Sequence, residues 1–203
     1  MPVKEFDLHS NCWLDFRTSG DAPVTRGGHY VNLLGNCLVI FGGEDARWIC
    51  PLNDLHVLDL VSRKWSKPPV RGVPPAGRLH HAATVHTARR ELLIFGGLKY
   101  PEFVNDLHVL NIDTWEWSRP KQHGEIPGPR CGHAGATIGD SWFIVGGYNG
   151  ASRTPDDIIV LNMSNYVWSV LPTTGECISA TTLGSSLVVS AYKGQTAEIF
   201  WWI

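Results

Sequence analysis

One pattern recurs three times along the 203-residue chain, at a step of about fifty residues, and it constrains the fold more than any other feature. Each copy has an arginine, an apolar run ending in two glycines, an Asn-Asp or Asp-Asp pair, and a tryptophan. These landmarks are Arg26, Arg78 and Arg130; Gly42, Gly43, Gly96, Gly97, Gly146 and Gly147; Trp65, Trp117 and Trp168. A fixed period of this length is typical of repeated structural units and favours a binding scaffold over an enzyme.

The spacing within the copies defines the units. The first residue of the Asn/Asp pair always precedes the tryptophan by 12 residues, and each tryptophan precedes the next arginine by 13. Trp13 stands 13 residues before Arg26, so we interpret it as the tail of a preceding unit. The same step from Trp168 falls on Thr181, where a fourth unit begins without its arginine. The predicted divisions are a tail at 1–25, full units at 26–77, 78–129 and 130–175, and a degenerate, truncated unit at 176–203.

Each full unit is predicted to form four short strands. The first strand follows the arginine, the second is the apolar run before the glycines, the third alternates apolar and polar residues, and the fourth carries the tryptophan. Turn residues separate these segments, as in the Pro- and Gly-rich stretches 68–77 and 120–129. Since no segment keeps a period of 3.6 residues, we expect essentially no helix. The pattern therefore predicts an all-β propeller that is incomplete, with three full four-stranded blades and partial blades at both ends.

The repeated residues are interpreted as framework. Paired glycines allow a buried strand to end against the next blade, and the indoles are predicted to wedge between adjacent sheets. The arginines recur in step with Asp54, Asp106 and Asp157, and we expect each arginine to pair with its carboxylate and fasten two loops together. A ring of ligand-binding arginines is the alternative.

Bulk composition excludes several classes of protein. Charged residues make up 18% of the chain, and its 17 basic and 19 acidic residues are mixed without a basic run, so no nucleic-acid partner is expected. The apolar runs are too short for a membrane span. No signal-peptide pattern opens the sequence, and the five cysteines form no Cys-x-x-Cys, so we expect reduced thiols in a cytosolic protein.

No catalytic chemistry is predicted. The histidines that return with the repeat are interpreted as framework, and no carboxylate or cysteine stands at zinc-ligand spacing around the cluster at His80, His81 and His86. Nucleophile-elbow and phosphate-loop motifs are absent from the sequence. The sequence therefore predicts no catalytic residue, no metal site and no cofactor. A metal-dependent small-molecule enzyme remains the enzymatic alternative.

The units differ in the loops between their second and third strands. Rigid scaffolds place function on such loops, and aromatic and arginine side chains are enriched at the centres of interfaces. We expect a partner-binding rim formed by Arg47, Trp48, Tyr100, Phe103, Tyr148 and Arg153. The alternative is that the aromatic residues only anchor their own loops.

The order of landmarks resembles the kelch repeat over about residues 13–175. A closer resemblance, to the kelch portion of plant acyl-CoA-binding-domain proteins, is carried by four stretches: Leu-Val-Ile-Phe-Gly-Gly-Glu-Asp at 38–45, Asn-Asp-Leu-His-Val-Leu-Asp-Leu at 53–60, Gly-His-Ala-Gly-Ala-Thr-Ile-Gly at 132–139 and Ser-Leu-Val-Val-Ser at 186–190. The resemblance implies that a separate helical domain binds acyl-CoA while the kelch part recruits proteins. No such helical domain is readable in this sequence.

The resemblance predicts a non-enzymatic protein–protein interaction scaffold related to lipid metabolism proteins. An acyl-CoA- or lipid-associated protein that acts through a longer isoform is the second alternative. Since kelch propellers usually close with six or seven blades, the chain is expected to be a fragment, a splice product or an imperfect gene model. Self-association would cover the open sheet faces of such an arc.

Overall fold

The computed structural model describes residues 3–45, 50–150, 158–172 and 174, together with the backbone of 186–192 and 196–202. All regular secondary structure in these residues is strand, with no helix. The strands in chain order are β1 (Lys4–Asp7), β2 (Cys12–Asp15), β3 (Ser19–Gly20), β4 (Arg26–Gly27), β5 (Tyr30–Leu34), β6 (Cys37–Phe41), β7 (Glu44–Asp45), β8 (Leu55–Asp59), β9 (Lys64–Ser66), β10 (Arg71–Gly72), β11 (Ala82–His86), β12 (Glu91–Phe95), β13 (Leu98–Lys99), β14 (Glu102–Phe103), β15 (Leu107–Asn111), β16 (Glu116–Ser118), β17 (His123–Gly124), β18 (Ala134–Ile138), β19 (Ser141–Val145), β20 (Ile158–Asn162), β21 (Val167–Leu171), β22 (Ser186–Tyr192) and β23 (Thr196–Trp202).

Three five-stranded sheets form the body of the molecule. The first sheet has the order β3-β9-β8-β6-β5, the second β10-β16-β15-β12-β11 and the third β17-β21-β20-β19-β18. In each sheet the four strands after the arginine pair in sequence and antiparallel, as the repeat predicts. The prediction of an all-β fold built from propeller-type blades is confirmed, and the sheets do not close into a ring within the described residues.

Each sheet also carries a fifth strand that the sequence did not predict. The two-residue strands β3, β10 and β17 come from the segment before the arginine, and each pairs parallel to the fourth strand of the sheet that follows it in the chain. Gly20 pairs with Trp65 and has a φ of +82°, and a Cβ there would lie 2.2 Å from the Trp65 carbonyl oxygen. The close approach therefore requires glycine.

The hydrophobic core lies between neighbouring sheets. Alternate residues of β12 face opposite neighbours: Leu92 and Ile94 belong to the cluster shared with the first sheet, whereas Leu93 and Phe95 belong to the cluster shared with the third. This period of two is the normal alternation of a strand buried on both faces. The second sheet is therefore a middle layer that packs against both of its neighbours.

The repeat tryptophans fill these interfaces. Trp117 of the second sheet packs on Phe41 of the first with 5.5 Å between ring centroids, and Trp168 of the third packs on Phe95 of the second at 4.6 Å. Both indoles are almost completely buried. The tryptophan of one unit thus packs against the apolar run of the unit before it.

The innermost strands of successive sheets lie side by side. Strand β11 contacts both β5 and β18, and β18 also contacts β22. Main-chain hydrogen bonds link equivalent positions of three units: His80 N donates to Gly28 O, and Gly132 N donates to His80 O, both at 2.8 Å. The three sheets are therefore arranged about a shared axis, as propeller blades are.

Two hairpins flank the three sheets. At one end, β1 pairs antiparallel with β2, and Phe6 faces Trp13 within this pair with 5.0 Å between ring centroids. At the other end, β22 pairs antiparallel with β23 over seven residues. No helix in the described part of the chain has the length and apolar character that crossing a membrane requires.

Candidate functional site

The repeat arginines lie buried at the end of each sheet where the second strand ends and the third begins. Arg78 donates from Nη1 to Gly96 O at 3.0 Å, from Nε to Ala76 O at 3.1 Å, and from Nη1 and Nη2 to the two carboxylate oxygens of Asp106 at 2.6 and 3.0 Å. Its side chain has no exposed surface. One guanidinium therefore fastens the incoming segment to both strands.

The same arrangement recurs in the first unit and in part in the third. Arg26 donates to Gly42 O and to both carboxylate oxygens of Asp54. Burial opposes ionisation of Asp54, but hydrogen bonds from Arg26 and His56 outweigh it and lower the pKa of Asp54 to about 2. Arg130 donates to Gly128 O and Gly146 O, and its expected partner Asp157 lies outside the described residues.

These contacts bear on the two interpretations of the arginines. The guanidinium groups of Arg26 and Arg78 are buried, and their hydrogen bonds go to carbonyls and carboxylates of this chain. An arginine ring that binds a ligand needs an exposed cationic face, which these two side chains do not have. The contacts favour the prediction that the arginines fasten the loops, and the substitution Arg78→Lys tests it.

The repeat histidines His81 and His133 pack beside the paired glycines. The ring of His81 lies edge-on to Phe41, and the ring of His133 lies edge-on to Phe95. Burial, together with the nearby positive charge of Arg78, lowers the pKa of His81 to about 3. Both imidazoles are therefore neutral near pH 7 and act as packing groups.

The described rim residues Tyr100, Phe103 and Tyr148 lie on one face of the molecule, which we call the loop face. This face is formed by the loops between second and third strands, at 42–45, 50–54, 96–106 and 146–150. Phe103 meets Tyr148 of the next unit edge-to-face, with 5.6 Å between ring centroids and an angle of 88°. Tyr100 is 52% exposed. Arg47, Trp48 and Arg153 lie outside the described residues.

The loops of adjacent units thus touch through aromatic side chains. Phe103 also lies against Gly150, where a Cβ would approach the phenyl ring to 2.7 Å, and Tyr148 donates its hydroxyl hydrogen to Gly150 O. Phe103 and Tyr148 are partly buried by this contact. They anchor the loops to each other, while Tyr100 remains free to contact another molecule.

A cavity on the loop face was missed by the sequence analysis. It measures about 390 Å³ and is lined by Val73, Pro74, Ala76, Lys99, Phe103, Val104, Asn105, Asp106, His108 and Arg119. His108 was predicted to belong to the framework because it returns with the repeat. The signal that could have found the cavity is the Val-Pro-Pro sequence at 73–75 ahead of the second unit, because the segment ahead of the first unit has Asp-Ala-Pro at 21–23.

A second, smaller cavity lies at the shared axis, and it measures about 140 Å³. Its lining includes His29, His80 and His81. No group of three or more His, Cys, Asp or Glu side chains in the described part of the chain has the geometry to hold a metal ion.

Four described cysteines, Cys12, Cys37, Cys50 and Cys131, are free thiols. Cys131 is buried, and burial raises the pKa of its thiol to about 11.

Comparison with known families agrees with this architecture. The model of the KLHDC2/KLHL20/DRC7 Kelch-repeats domain matches residues 3–193. The chain belongs to the kelch-repeat family. The fold expected from the resemblance is thus confirmed, and each of the three sheets corresponds to a kelch repeat with an additional edge strand.

Three curated relatives show the range of similar proteins. Over 96% of this chain, Acyl-CoA-binding domain-containing protein 5 of Arabidopsis thaliana is 50% identical, and Acyl-CoA-binding domain-containing protein 4 of the same plant is 49% identical. Host cell factor 1 of Homo sapiens is 31% identical over 77% of this chain. The chain spans about 30% of the length of the two plant proteins and 8% of host cell factor 1.

Proposed function

We propose that this chain is a non-enzymatic kelch scaffold that recruits protein partners through its loop face. The observation that carries the proposal is the aromatic contact between Phe103 and Tyr148, which joins the loops of two adjacent units into one surface. A surface that spans several units gives a partner a broad, preformed footprint, and rigid footprints cost little ordering entropy on binding. Tyr100 supplies an exposed aromatic group on that surface.

The rim proposed from the sequence is kept as the partner-binding surface. In the sequence, Arg47, Trp48 and Arg153 stand in loop segments equivalent to those of Tyr100, Phe103 and Tyr148, and they belong to the proposal with them. Given their different burial, we propose that Tyr100 acts by direct contact and that Phe103 and Tyr148 act by holding the loops in place. The proposed setting of this activity is the cytosol.

The names of the plant relatives connect the proposal to acyl-CoA. We propose that the repeats recruit partners within a protein of that kind and that acyl-CoA is bound elsewhere. Support comes from the strand-only architecture of the described residues, because the resemblance places acyl-CoA binding in a helical domain. Titration of the purified chain with a fluorescent acyl-CoA tests this part, and saturable binding would contradict it.

The scaffold proposal is tested by selecting binding peptides. A displayed library of random peptides is panned on the purified chain, and the dissociation constants of selected peptides are measured by fluorescence anisotropy. Tyr100→Ala is expected to weaken binding about tenfold, the loss typical of an interfacial aromatic side chain. Val61→Ala, a change of an exposed residue in the turn at the opposite end of the first sheet, is the matched control.

Two results decide the scaffold test. Thermal melts of both variants should match that of the unsubstituted chain, because neither residue is buried. Selected peptides that bind equally well to Tyr100→Ala and to the unsubstituted chain would show that the loop face is not the binding surface.

A further inference from the structure

Equivalent histidines in the first and second sheets have different surroundings. His56 Nε2 lies 2.9 Å from Asp54 Oδ2, and its Nδ1 lies 3.0 Å from the main-chain carbonyl oxygen of Asp21. His108 Nε2 likewise lies 2.9 Å from Asp106 Oδ2. The Nδ1 atom of His108 is buried and has no hydrogen-bond partner among the described residues. Since a buried, unpartnered nitrogen is costly, this atom marks a position that a polar group can fill.

The cause of the difference lies in the segment that leads into each unit. Ahead of the first unit, Asp21 N donates to Trp65 O at 3.2 Å and Ala22 N donates to Gly20 O at 2.9 Å, so the segment follows the sheet edge. Ahead of the second unit, Pro74 stands at the position of Ala22 and has no N–H to donate. Proline also restricts the backbone of the preceding residue, Val73. Within the described residues, Val73 N makes no bond like that of Asp21 N.

The segment therefore leaves the sheet edge in the second unit, and the cavity of about 390 Å³ opens beside His108. The third unit follows the first: Glu125 N donates to Trp168 O, and Ile126 N donates to Gly124 O. That unit has Ile159 at the histidine position. Among the described residues, the second sheet thus combines the histidine, with its unpartnered Nδ1, and an adjoining cavity.

The polar lining of the cavity favours an acidic occupant. Lys99 and Arg119 both line it, and neither is buried. Lys99 makes a loose pair with exposed Glu102 at 3.3 Å, and in the described part of the chain Arg119 has no ion-pair partner. The one lining carboxylate, Asp106, is held by Arg78 and His108, and these hydrogen bonds outweigh burial and hold its pKa well below the usual range. Apolar contacts come from Phe103 and Val104.

We propose that this cavity binds an extended, acidic peptide segment of a partner protein. A peptide carbonyl oxygen of the partner would lie beside His108 Nδ1, in the position that the Asp21 carbonyl oxygen occupies beside His56 Nδ1. An aspartate or glutamate side chain of the same segment would lie beside Lys99 and Arg119. The inference rests on the proposed scaffold function and names the chemistry of the partner.

Two acceptors would face His108 in the complex. Asp106 offers an oxygen to Nε2 and the peptide carbonyl offers an oxygen to Nδ1, and an imidazole donates to both only when each ring nitrogen carries a hydrogen. The charged groups around it are Asp106 with its partner Arg78, and Lys99 and Arg119 at the cavity.

The test uses the folded chain and defined peptides. Acetylated and amidated nonapeptides from a displayed library are measured by fluorescence anisotropy, together with versions in which every Asp or Glu is replaced by Asn or Gln. We expect the acidic peptides to bind at least tenfold more tightly than their neutral versions. Arg119→Glu and Lys99→Glu should each weaken binding of the acidic peptides at least tenfold while leaving the thermal melt unchanged, because both side chains are exposed.

A variant of the histidine isolates Nδ1. The amide nitrogen of His108→Gln can replace Nε2 as the donor to Asp106, but nothing replaces Nδ1. This variant should keep the stability of the chain and lose about tenfold in affinity. His56→Gln in the first sheet is the matched control, and its peptide binding should be unchanged.

Three outcomes would overturn the inference. Peptides that are insensitive to Arg119→Glu and His108→Gln but are lost on Tyr100→Ala would refute the cavity and leave the scaffold function standing. Binding of free N-acetylglutamate as tightly as the peptides would assign the site to small carboxylates. Failure of the library to yield any binder would refute both the cavity and the scaffold function.

Discussion

Trp117 and Trp13 occupy the same position in their units, yet 3% of the Trp117 surface and 71% of the Trp13 surface are exposed. Trp117 packs on Phe41 of the preceding sheet, whereas the ring contact of Trp13 is with Phe6 in its own hairpin. The indole is therefore buried by the neighbouring sheet and not by its own. Stability in this chain lies largely in the interfaces between sheets, as in other repeat proteins.

The sharpest test of this comparison is truncation of the two indoles. Trp117→Ala should lower the free energy of unfolding by about 3–5 kcal/mol, since it opens a cavity between two sheets. Trp13→Ala should cost less than about 1 kcal/mol because the side chain is already in water. Urea unfolding followed by circular dichroism measures both, and equal losses would show that the contact with the preceding sheet is unimportant.

The second test compares a buried arginine with an exposed one. Arg78→Lys removes the two-pronged contact with Asp106 and should cost about 2–3 kcal/mol, because a lysine cannot reproduce the fork. Arg90→Lys, in the exposed pair with Asp113, should stay within about 0.5 kcal/mol. The same unfolding experiment applies. If Arg78→Lys were stable but bound none of the selected peptides, Arg78 would instead be a binding residue.

Glycines offer a third comparison. Gly42 has a φ of +68°, and a Cβ there would lie 2.6 Å from the main-chain oxygen of Arg78 in the next unit. Gly139 has a φ of +55° in a turn, with open space around the same position. Gly42→Ala should cost about 2–3 kcal/mol and Gly139→Ala about 1 kcal/mol, so the difference measures the tightness of the contact between units. Indistinguishable melting temperatures would show that the units can separate at little cost.

The smallest effect should appear as a pH dependence. An unfolded chain binds a proton on His81 near pH 6.5, whereas the folded chain does so only near pH 3. Stability should therefore be complete above pH 6.5 and fall by about 1.4 kcal/mol per pH unit for this group as the pH drops below that value. His81→Gln should reduce the slope of unfolding free energy against pH between 6.5 and 5 by that amount.

An unchanged slope in His81→Gln would place the pH dependence of the interface on another group.

The sequence predicted the parts of the fold that are marked by residues repeating at a fixed spacing. Trp65, Trp117 and Trp168 and the paired glycines located the sheets, because a buried indole and a glycine at positive φ leave few alternatives. The edge strands such as Arg71–Gly72 were missed because they are two residues long, lie in segments rich in proline and glycine, and pair parallel with distant residues. No local pattern encodes such a pairing.

The candidate site was predicted only in part for a related reason. The motif that contains Asp106 and His108 is nearly identical to that of Asp54 and His56, so the sequence assigned both to the framework. What separates them is Pro74, more than thirty residues before His108. Its effect on the path of the backbone becomes visible only when the neighbouring strands are in place.

The edge strands have a consequence for how such a protein is assembled and recombined. The outermost strand of each five-stranded sheet comes from residues that precede the arginine of that unit. A recombination point placed directly at an arginine would therefore separate this strand from the sheet with which it pairs. A repeat that can be swapped, duplicated or deleted as a whole must start further upstream. The starting points that respect the hydrogen bonding lie ahead of Ser19, Arg71 and His123.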